Sequence, residues 1–296
     1  MAMSKQARIA INLVAALIIA QGAAGLTGCV IQNKFANQLD RITNWWILIG
    51  GSAQTRAPGW QLAAERVELV VLNDHPRYAI EPFGPKTIRL AYLSLGEVEF
   101  GRPYWPAVAG SSYLVEINPD WEHNVRVDIR DPRWQGILLE QEAPRLMDRG
   151  YDGFMLDTLD IAAYLEKKDP VRFAGSRQAL RKFLSELRRA FPNAYLLANA
   201  TEGLLDAAPF VDGYVVESVF ATYDLVRGGY RETTSPERTW RLAQVNAALA
   251  SVRRPVFSIE YASFSDAELA AWAISEARRH GFKPTVTTRS LDQAPH

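Results

Sequence analysis

Eight short apolar runs recur along the chain from Trp45 onward, and no other pattern in the sequence restricts the fold so strongly. Each run is almost continuously apolar and rich in β-branched residues, which is typical of strands covered on both faces in a parallel sheet. The first run ends at Gly50 and the last at Glu260, so seven steps span 210 residues, or 30 residues per step. A strand plus a crossover helix has this length. The runs are Trp45–Gly50, Val67–Asn73, Ile88–Gly96, Val125–Ile129, Gly153–Asp157, Ala194–Asn199, Gly213–Glu217 and Val256–Glu260.

The longer stretches between the runs have the periodicity of amphipathic helices. In the clearest example, Leu180, Leu184 and Leu187 lie three or four residues apart, with charged residues on the opposite face. Alternating strands and helices predict a (β/α)8 TIM barrel, with a doubly wound open sheet as the alternative. No change in composition divides residues 44–296, so we expect a single domain. The best-defined helices are predicted at Arg177–Phe191, Pro236–Val252 and Asp266–His280.

Residues 1–28 have the features of a signal peptide. A basic start precedes the apolar stretch Ile9–Ala20, which is short for a membrane span. Leu26–Cys29 resembles the lipobox of bacterial lipoproteins, which implies cleavage before Cys29 and lipidation of its sulfur. Residues 29–43 would then form a tether. We expect an extracytoplasmic protein anchored at the outer membrane or the periplasmic face, and an ordinary secretory signal is the alternative.

The composition argues against several kinds of partner and cofactor. The 33 basic and 33 acidic residues leave no formal net charge, so we expect no binding to nucleic acid. One cysteine cannot form an internal disulfide or a multi-cysteine metal site. Metal-dependent hydrolysis would need His75 or His123 beside Asp74 and Asp128, but no two histidines have helical ligand spacing. We expect a monomer that uses neither metal nor cofactor.

Acidic residues follow most of the apolar runs, where a barrel carries its chemistry. A single carboxylate at a strand end is commonly a helix cap or a loop anchor. Several carboxylates on one rim repel each other, and this repulsion costs free energy unless function or a cation compensates. The acidic residues at the run ends are Asp74, Glu97, Glu99, Asp128, Asp157, Asp160, Glu202, Glu217 and Glu260, with Asn199 and Tyr261 beside them.

Two of these acids, Asp157 and Glu217, directly end apolar runs and form a candidate catalytic pair. Glycosidic bond cleavage needs two carboxyl groups, one to protonate the leaving oxygen and one to attack the sugar or activate water. Two strands apart on a barrel rim, these carboxyl groups would be roughly 5 to 10 Å apart, a range that includes both retaining and inverting enzymes. Aromatic residues that either stack on sugars or pack the loops are Tyr92, Tyr104, Trp105, Trp121, Tyr223 and Tyr261.

Five ordered segments resemble the endo-α-1,4-polygalactosaminidase family, glycoside hydrolase family 114. They are Ala91–Trp105 (AYLSLGEVEFGRPYW), Asn118–Trp134 (NPDWEHNVRVDIRDPRW), Gly150–Tyr164 (GYDGFMLDTLDIAAY), Asp212–Glu217 (DGYVVE) and Pro255–Ala262 (PVFSIEYA). The resemblance covers most of the chain from Trp45 onward. It implies a TIM barrel and a secreted or surface hydrolase that acts on amino-sugar polysaccharide, such as α-1,4-linked galactosamine exopolysaccharide.

The resemblance also implies roles for single residues. Asp157 and Glu217 match the catalytic pair of the family, with Asp157 as nucleophile and Glu217 as acid/base. Relatives commonly have an Asp where this chain has Glu260, and a Tyr–Trp pair where it has Asp128 and Ile129. These departures make a non-catalytic carbohydrate-binding or envelope-scaffold protein the alternative function. Residues expected to bind substrate are Asp74, Tyr92, Glu97, Tyr104, Trp105, Asp160, Asn199, Glu260 and Tyr261.

Overall fold

The computed structural model describes residues 35–50, 60–74, 83–200 and 202–292. Its main feature is an eight-stranded parallel sheet with the order β1-β2-β3-β7-β8-β9-β12-β13. The strands are β1 Trp45–Leu48, β2 Leu69–Leu72, β3 Ile88–Ser94, β4 Glu97–Glu99, β5 Leu114–Asn118, β6 Trp121–Val127, β7 Gly153–Asp157, β8 Tyr195–Asn199, β9 Gly213–Glu217, β10 Ala221–Tyr223, β11 Tyr230–Glu232, β12 Val256–Tyr261 and β13 Lys283–Thr287.

The parallel sheet curves into a nearly closed barrel. The indole of Trp45 on β1 donates a hydrogen bond to the carbonyl of Lys283 on β13, at 2.9 Å. Just beyond these strands, the backbone amides of Ile49 and Gly50 both donate to the carbonyl of Leu291, each at 2.9 Å. Contacts between the first and last strands, with helices described between most successive strands, confirm the predicted (β/α)8 TIM barrel.

Seven of the eight predicted runs lie on barrel strands, but the fourth does not. Val125–Ile129 overlaps β6, which pairs antiparallel with β4 and β5 in a separate three-stranded sheet on the barrel rim. The eighth barrel strand is instead β13, which begins with Lys283 and Pro284 and therefore lacks a continuous apolar run. The prediction was wrong on this strand, and Glu217 and Glu260 lie on the sixth and seventh barrel strands.

Helices cover the outside of the barrel. The three helices predicted most clearly are confirmed, with ends that differ from the prediction by one residue. The longest, Ser235–Ser251, begins with a capping box in which Thr234 and Glu237 satisfy each other's backbone amides. The helices are Trp60–Ala64, Trp105–Val108, Pro132–Gly136, the π-helical segment Ile137–Glu142, Ala143–Asp148, Asp160–Lys168, Ser176–Ala190, Leu204–Ala207, Ser235–Ser251 and Ala267–Arg279, after a helical segment at residues 35–39.

Two apolar layers hold the barrel together. One lies between the strands and the helices, and the other fills the barrel interior. Leu39 and Ile42, which fall in the predicted tether, pack into the interior layer, so ordered structure begins before residue 44. The interior side chains include Ile47, Val71, Leu90, Met155, Leu197, Val215 and Ile259.

The N-terminal predictions fall outside this description. The predicted signal peptide at residues 1–28, the lipidation site Cys29 and residues 30–34 of the tether are not among the described residues. Within the described parts of the chain, no helix has the length and apolar character needed to cross a bilayer.

Candidate active site

Five polar side chains stand over the interior layer at the carboxyl ends of five adjacent strands. Side chains alternate along a strand, so the residue two positions after an inward-facing residue also faces inward. Met155 faces the interior, and Asp157 therefore lies directly above it. The five residues are Tyr92 of β3, Asp157 of β7, Asn199 of β8, Glu217 of β9 and Tyr261 of β12.

Asn199 joins the two candidate catalytic carboxylates. Its side-chain amide nitrogen donates to Oδ1 of Asp157 at 2.9 Å and to Oε1 of Glu217 at 2.6 Å. These two oxygens are therefore at most about 5.5 Å apart, the sum of the two distances. The remaining oxygens accept from tyrosines, Asp157 from Tyr92 at 2.7 Å and Glu217 from Tyr261 at 2.5 Å. The structure thus brings together residues that the sequence placed on separate strands.

Burial and a neighbouring negative charge change the proton affinity of Asp157. Desolvation, followed by the negative charge of Glu217, raises the pKa of Asp157 to about 7. Burial also raises the pKa of Tyr92 and Tyr261 well above the usual value, so both stay neutral and act as hydrogen-bond donors.

The backbone turns sharply after each carboxylate. Thr158 has φ +60° and Ser218 has φ +55°, a left-handed conformation that is rare for residues with a Cβ, above all for β-branched threonine. The hydroxyl of Thr158 accepts from the amide of Gly96 at 2.8 Å and lies 2.9 Å from the Ser94 hydroxyl. A Cβ at position 96 would lie 2.3 Å from the carbonyl oxygen of Thr158, so only glycine fits there. Non-glycine residues in such conformations concentrate at active sites.

A cavity of about 500 Å³ opens above these five residues, and its lining is acidic. Among the residues that the structure describes, two basic ones line it. Arg126 is paired with Glu116 at 3.0 Å and approaches Glu97 at 3.8 Å, whereas the guanidinium of Arg289 lies over the rings of Trp121 and Tyr223. The acidic lining residues are Glu97, Glu99, Asp120, Asp157, Asp160 and Glu217.

Glu97 forms one wall of the cavity together with Asp160. Its carboxylate accepts from the side-chain amides of Asn118 at 2.8 Å and Asn124 at 2.9 Å. Burial raises the pKa of both Glu97 and Asp160. Glu97 and Asp160, predicted to bind substrate, therefore face the same space as the candidate catalytic pair.

Besides Asn199, which bridges the candidate pair without lining the cavity, four residues predicted to bind substrate do not line it. Asp74 is buried in ion pairs with Arg145 at 2.5 Å and Arg149 at 2.8 Å. Tyr104 and Trp105 follow β4 but pack away from the cavity, with ring centroids 5.4 Å from Trp134 and 4.4 Å from Phe100, respectively. Glu260 faces the outside of the barrel, opposite to Tyr261, and is fully buried there. The structure corrects the predicted placement of these residues.

The residues needed for a metal site are also apart. Asp128 forms an ion pair with Arg130 at 2.6 Å, and His123 packs against the ring of Phe100 at 6.3 Å. His75 lies outside the described residues. Across the described parts of the chain, no group of three or more metal-ligating side chains is placed to hold an ion.

Several cavity residues were not predicted. Asn118, Asn124 and Arg126 come from the rim sheet, and Arg289 follows β13. The prediction of site residues rests on the ends of the apolar runs. Asn118, Asn124 and Arg289 do not directly follow a run, and Arg126 lies in Val125–Ile129, which was assigned to the wrong strand. The alternation of polar and apolar residues along Asn124–Val127 was the available signal for a rim strand with one face turned to solvent.

Comparisons with known proteins agree with this fold and identify a family. The model of glycoside-hydrolase family GH114 matches residues 40–295. The glycoside hydrolase domain of PelA from Pseudomonas aeruginosa is 25% identical, with a TM-score of 0.69 over 85% of this chain and 96% of that domain. Aspergillus fumigatus Ega3, solved in complex with galactosamine, shares the fold at 16% identity and a TM-score of 0.59, over 86% of this chain and 94% of Ega3. An uncharacterised protein of Deinococcus radiodurans is 28% identical over 271 residues, which cover 86% of this chain and 83% of that protein.

Proposed function

We propose that this chain, which belongs to glycoside-hydrolase family GH114 and is a glycoside hydrolase, cleaves galactosamine-type exopolysaccharide by a retaining two-carboxylate mechanism. The observation that carries this proposal is the bridge from Asn199 to Asp157 and Glu217. Carboxyl groups are about 5 to 5.5 Å apart in retaining enzymes and about 6.5 to 9.5 Å apart in inverting ones. An oxygen–oxygen distance of at most about 5.5 Å favours retention.

In this mechanism Asp157 attacks the anomeric carbon while Glu217 protonates the leaving oxygen. The bond from the anomeric carbon to the leaving oxygen breaks, and a glycosyl–Asp157 ester forms. Glu217, now ionised, takes a proton from water as the water attacks the ester, and both carboxyl groups return to their starting states.

The raised pKa of Asp157 fits a cationic substrate. In the empty cavity, burial favours the protonated form of Asp157, which cannot attack. An ammonium group on the sugar carbon next to the anomeric carbon would favour the ionised form, because a nearby positive charge lowers the pKa of a carboxyl group. Substrate binding would thus ionise the nucleophile.

The charge of the cavity supports an amino-sugar polymer as substrate. Six of the described acidic residues line it, and Arg126, one of the two described arginines there, is paired with glutamates. An acid-lined cleft raises the local concentration of a cationic ligand. The galactosamine bound to Ega3 and the α-1,4 linkage implied by the family resemblance point to α-1,4-linked galactosamine polymers.

We further propose that the enzyme acts outside the cytoplasm as a monomer, held to a membrane by a lipid on Cys29. The lipobox-like sequence Leu26–Cys29 supports this. Cys29→Ser should move the protein from the membrane fraction to the soluble fraction, and an unchanged distribution would contradict the anchor. The monomer is tested by sedimentation of the mature domain.

The proposed activity is tested with defined polymers of galactosamine, glucosamine and their acetylated forms, by release of reducing ends. Asp157→Asn and Glu217→Gln should each lower the rate by at least about 10²-fold. Asp128→Asn is the matched control, because it changes a carboxylate to an amide outside the cavity. NMR of the first product should show the same anomer as the substrate. Binding without turnover on every polymer would contradict the proposal, and an inverted product would contradict the mechanism.

A further inference from the structure

Glu260 is a buried carboxylate for which the two-carboxylate mechanism has no role. It is fully buried on the outer side of the barrel, between β12 and the segment that follows Glu217. One oxygen, Oε2, accepts from the backbone amides of Phe220 and Ala221, each at 2.9 Å. Arg241 of the helix Ser235–Ser251 is the charged group that acts on it from the neighbouring helix. A buried carboxylate is costly unless its hydrogen bonds compensate, so its retention here calls for a reason.

The segment that Glu260 holds begins immediately after Glu217. Ser218 has the left-handed conformation, and its amide donates to the carbonyl of Ile259 at 2.8 Å. Phe220, held by Glu260, is fully buried, and its carbonyl accepts from the amide of Thr233 at 2.7 Å. The turn after Glu217 is therefore fixed from its far side, away from the cavity.

Three consecutive residues of β12 thus act on one catalytic carboxylate. Tyr261 donates to the side chain of Glu217 from inside the barrel, and the Ile259 carbonyl accepts from the amide of Ser218. Glu260 accepts from the amides of Phe220 and Ala221. Because neighbouring residues of a strand face opposite sides, β12 holds the Glu217 side chain and the backbone after it at the same time.

We propose that Glu260 is a positioning residue for Glu217, which holds the left-handed turn at Ser218 in place through the amides of Phe220 and Ala221 and does not touch the sugar. This inference rests on the proposed role of Glu217 as the acid/base. Displacement of a reacting group by about 1 Å costs about 10²-fold in rate. Glu260 would therefore control the chemical step from outside the cavity.

The kinetic test compares Glu260→Ala with Glu260→Gln. The alanine variant loses the acceptor, so we expect kcat to fall by about 10²-fold while KM stays within about 3-fold. The glutamine variant keeps a carbonyl oxygen that can accept both amides, and we expect it to retain kcat to within about 5-fold.

Glu142→Ala is the matched control for general destabilisation. Glu142 is also a buried glutamate, but it is paired with Arg145 at 2.6 Å and lies outside the cavity. Its loss should lower the melting temperature and leave kcat near the parent value. An equal loss of kcat in Glu142→Ala, an unchanged kcat in Glu260→Ala, or a rise in KM alone would each overturn the positioning role.

Hydrogen exchange separates this inference from the proposed function. The amides of Phe220 and Ala221 should exchange faster in Glu260→Ala than in the parent and in Glu260→Gln, whatever the substrate is. Unchanged exchange in the alanine variant would refute the inference even in an active enzyme. A parent protein with no activity on any polymer would refute the proposed function, while the exchange result would still decide whether Glu260 holds the turn.

Discussion

The bridge from Asn199 gives a prediction whose size follows from the structure. Its amide donates to both carboxylates, and donation to a carboxylate favours the ionised form. A hydrogen bond to a charged group contributes about 1.5 to 3 kcal/mol, and one pKa unit corresponds to about 1.4 kcal/mol. Asn199→Ala should therefore raise the pKa of Asp157 from about 7 by about 1 to 2 units.

The sign of the change is visible in the pH dependence of kcat/KM, which reports the free enzyme. Asp157 must be ionised to attack, so activity is lost as the pH falls through its pKa. In Asn199→Ala the acidic limb should move to higher pH by about 1 to 2 units, so that the loss is largest at low pH and smallest above the new pKa.

The control for this assay is Asn124→Ala, which removes a donor to Glu97 in the same cavity and should leave the acidic limb where it is. Rates are measured with one galactosamine polymer across the pH range, at constant ionic strength. An acidic limb that stays in place in Asn199→Ala, with an equal loss of rate at every pH, would show that Asn199 contacts the sugar instead of setting the pKa of the pair.

Two further predictions concern stability and binding. The pKa of Asp157 is raised to about 7 in the folded protein, so its contribution to stability is fully present below the unfolded pKa of about 3.9 and is lost as the pH rises through 7. Thermal denaturation should therefore show Asp157→Asn more stable than the parent at pH 8 but not at pH 4. Asp128→Asn, which loses its ion pair with Arg130, should show no gain in stability. Trp121 is half-exposed at the cavity mouth, where it could stack on a sugar. Trp121→Ala should therefore raise KM for long polymers by about 3- to 10-fold and leave kcat unchanged. An unchanged KM would show that the sugar chain does not stack there.

The spacing of apolar runs predicted the barrel because each parallel strand is buried on both faces and must be followed by a crossover helix. The same reasoning failed where a strand departs from that rule. β13 begins with Lys283 and Pro284, so its sequence lacks the apolar run by which the other strands were recognised. Val125–Ile129 was counted as such a run, but Arg126 and Asp128 alternate with its apolar residues, and it overlaps a rim strand. The number of apolar runs predicted the right architecture, but one of the eight runs was assigned to the wrong strand.

The proximity of Asp157 and Glu217, the proposed catalytic pair, was predictable for a related reason. Asp157 and Glu217 directly end barrel strands, and the strand ends of a barrel converge. A position at a strand end does not by itself decide whether the side chain faces the cavity. Glu260 and Tyr261 are neighbours on β12, and only one of them can face the cavity. Residue parity along the strand, counted from the interior residue Ile259, selects Tyr261. Asn118, Asn124 and Arg126 of the rim sheet, and Arg289 beyond β13, were not predicted, since the spacing of the runs did not place β5, β6 and β13.

Each of the two proposed catalytic carboxylates is followed by a backbone turn that the barrel must hold in place. A left-handed residue follows each of them, and such conformations cost about 1 to 3 kcal/mol apiece. At Thr158 the offsetting contacts come from Ser94 and from Gly96, where a side chain would collide with the Thr158 carbonyl. At Ser218 they come from β12, through the Ile259 carbonyl and through Glu260. Gly96 and Glu260 do not line the cavity, so substitutions there would alter the chemistry without changing any side chain that faces the sugar.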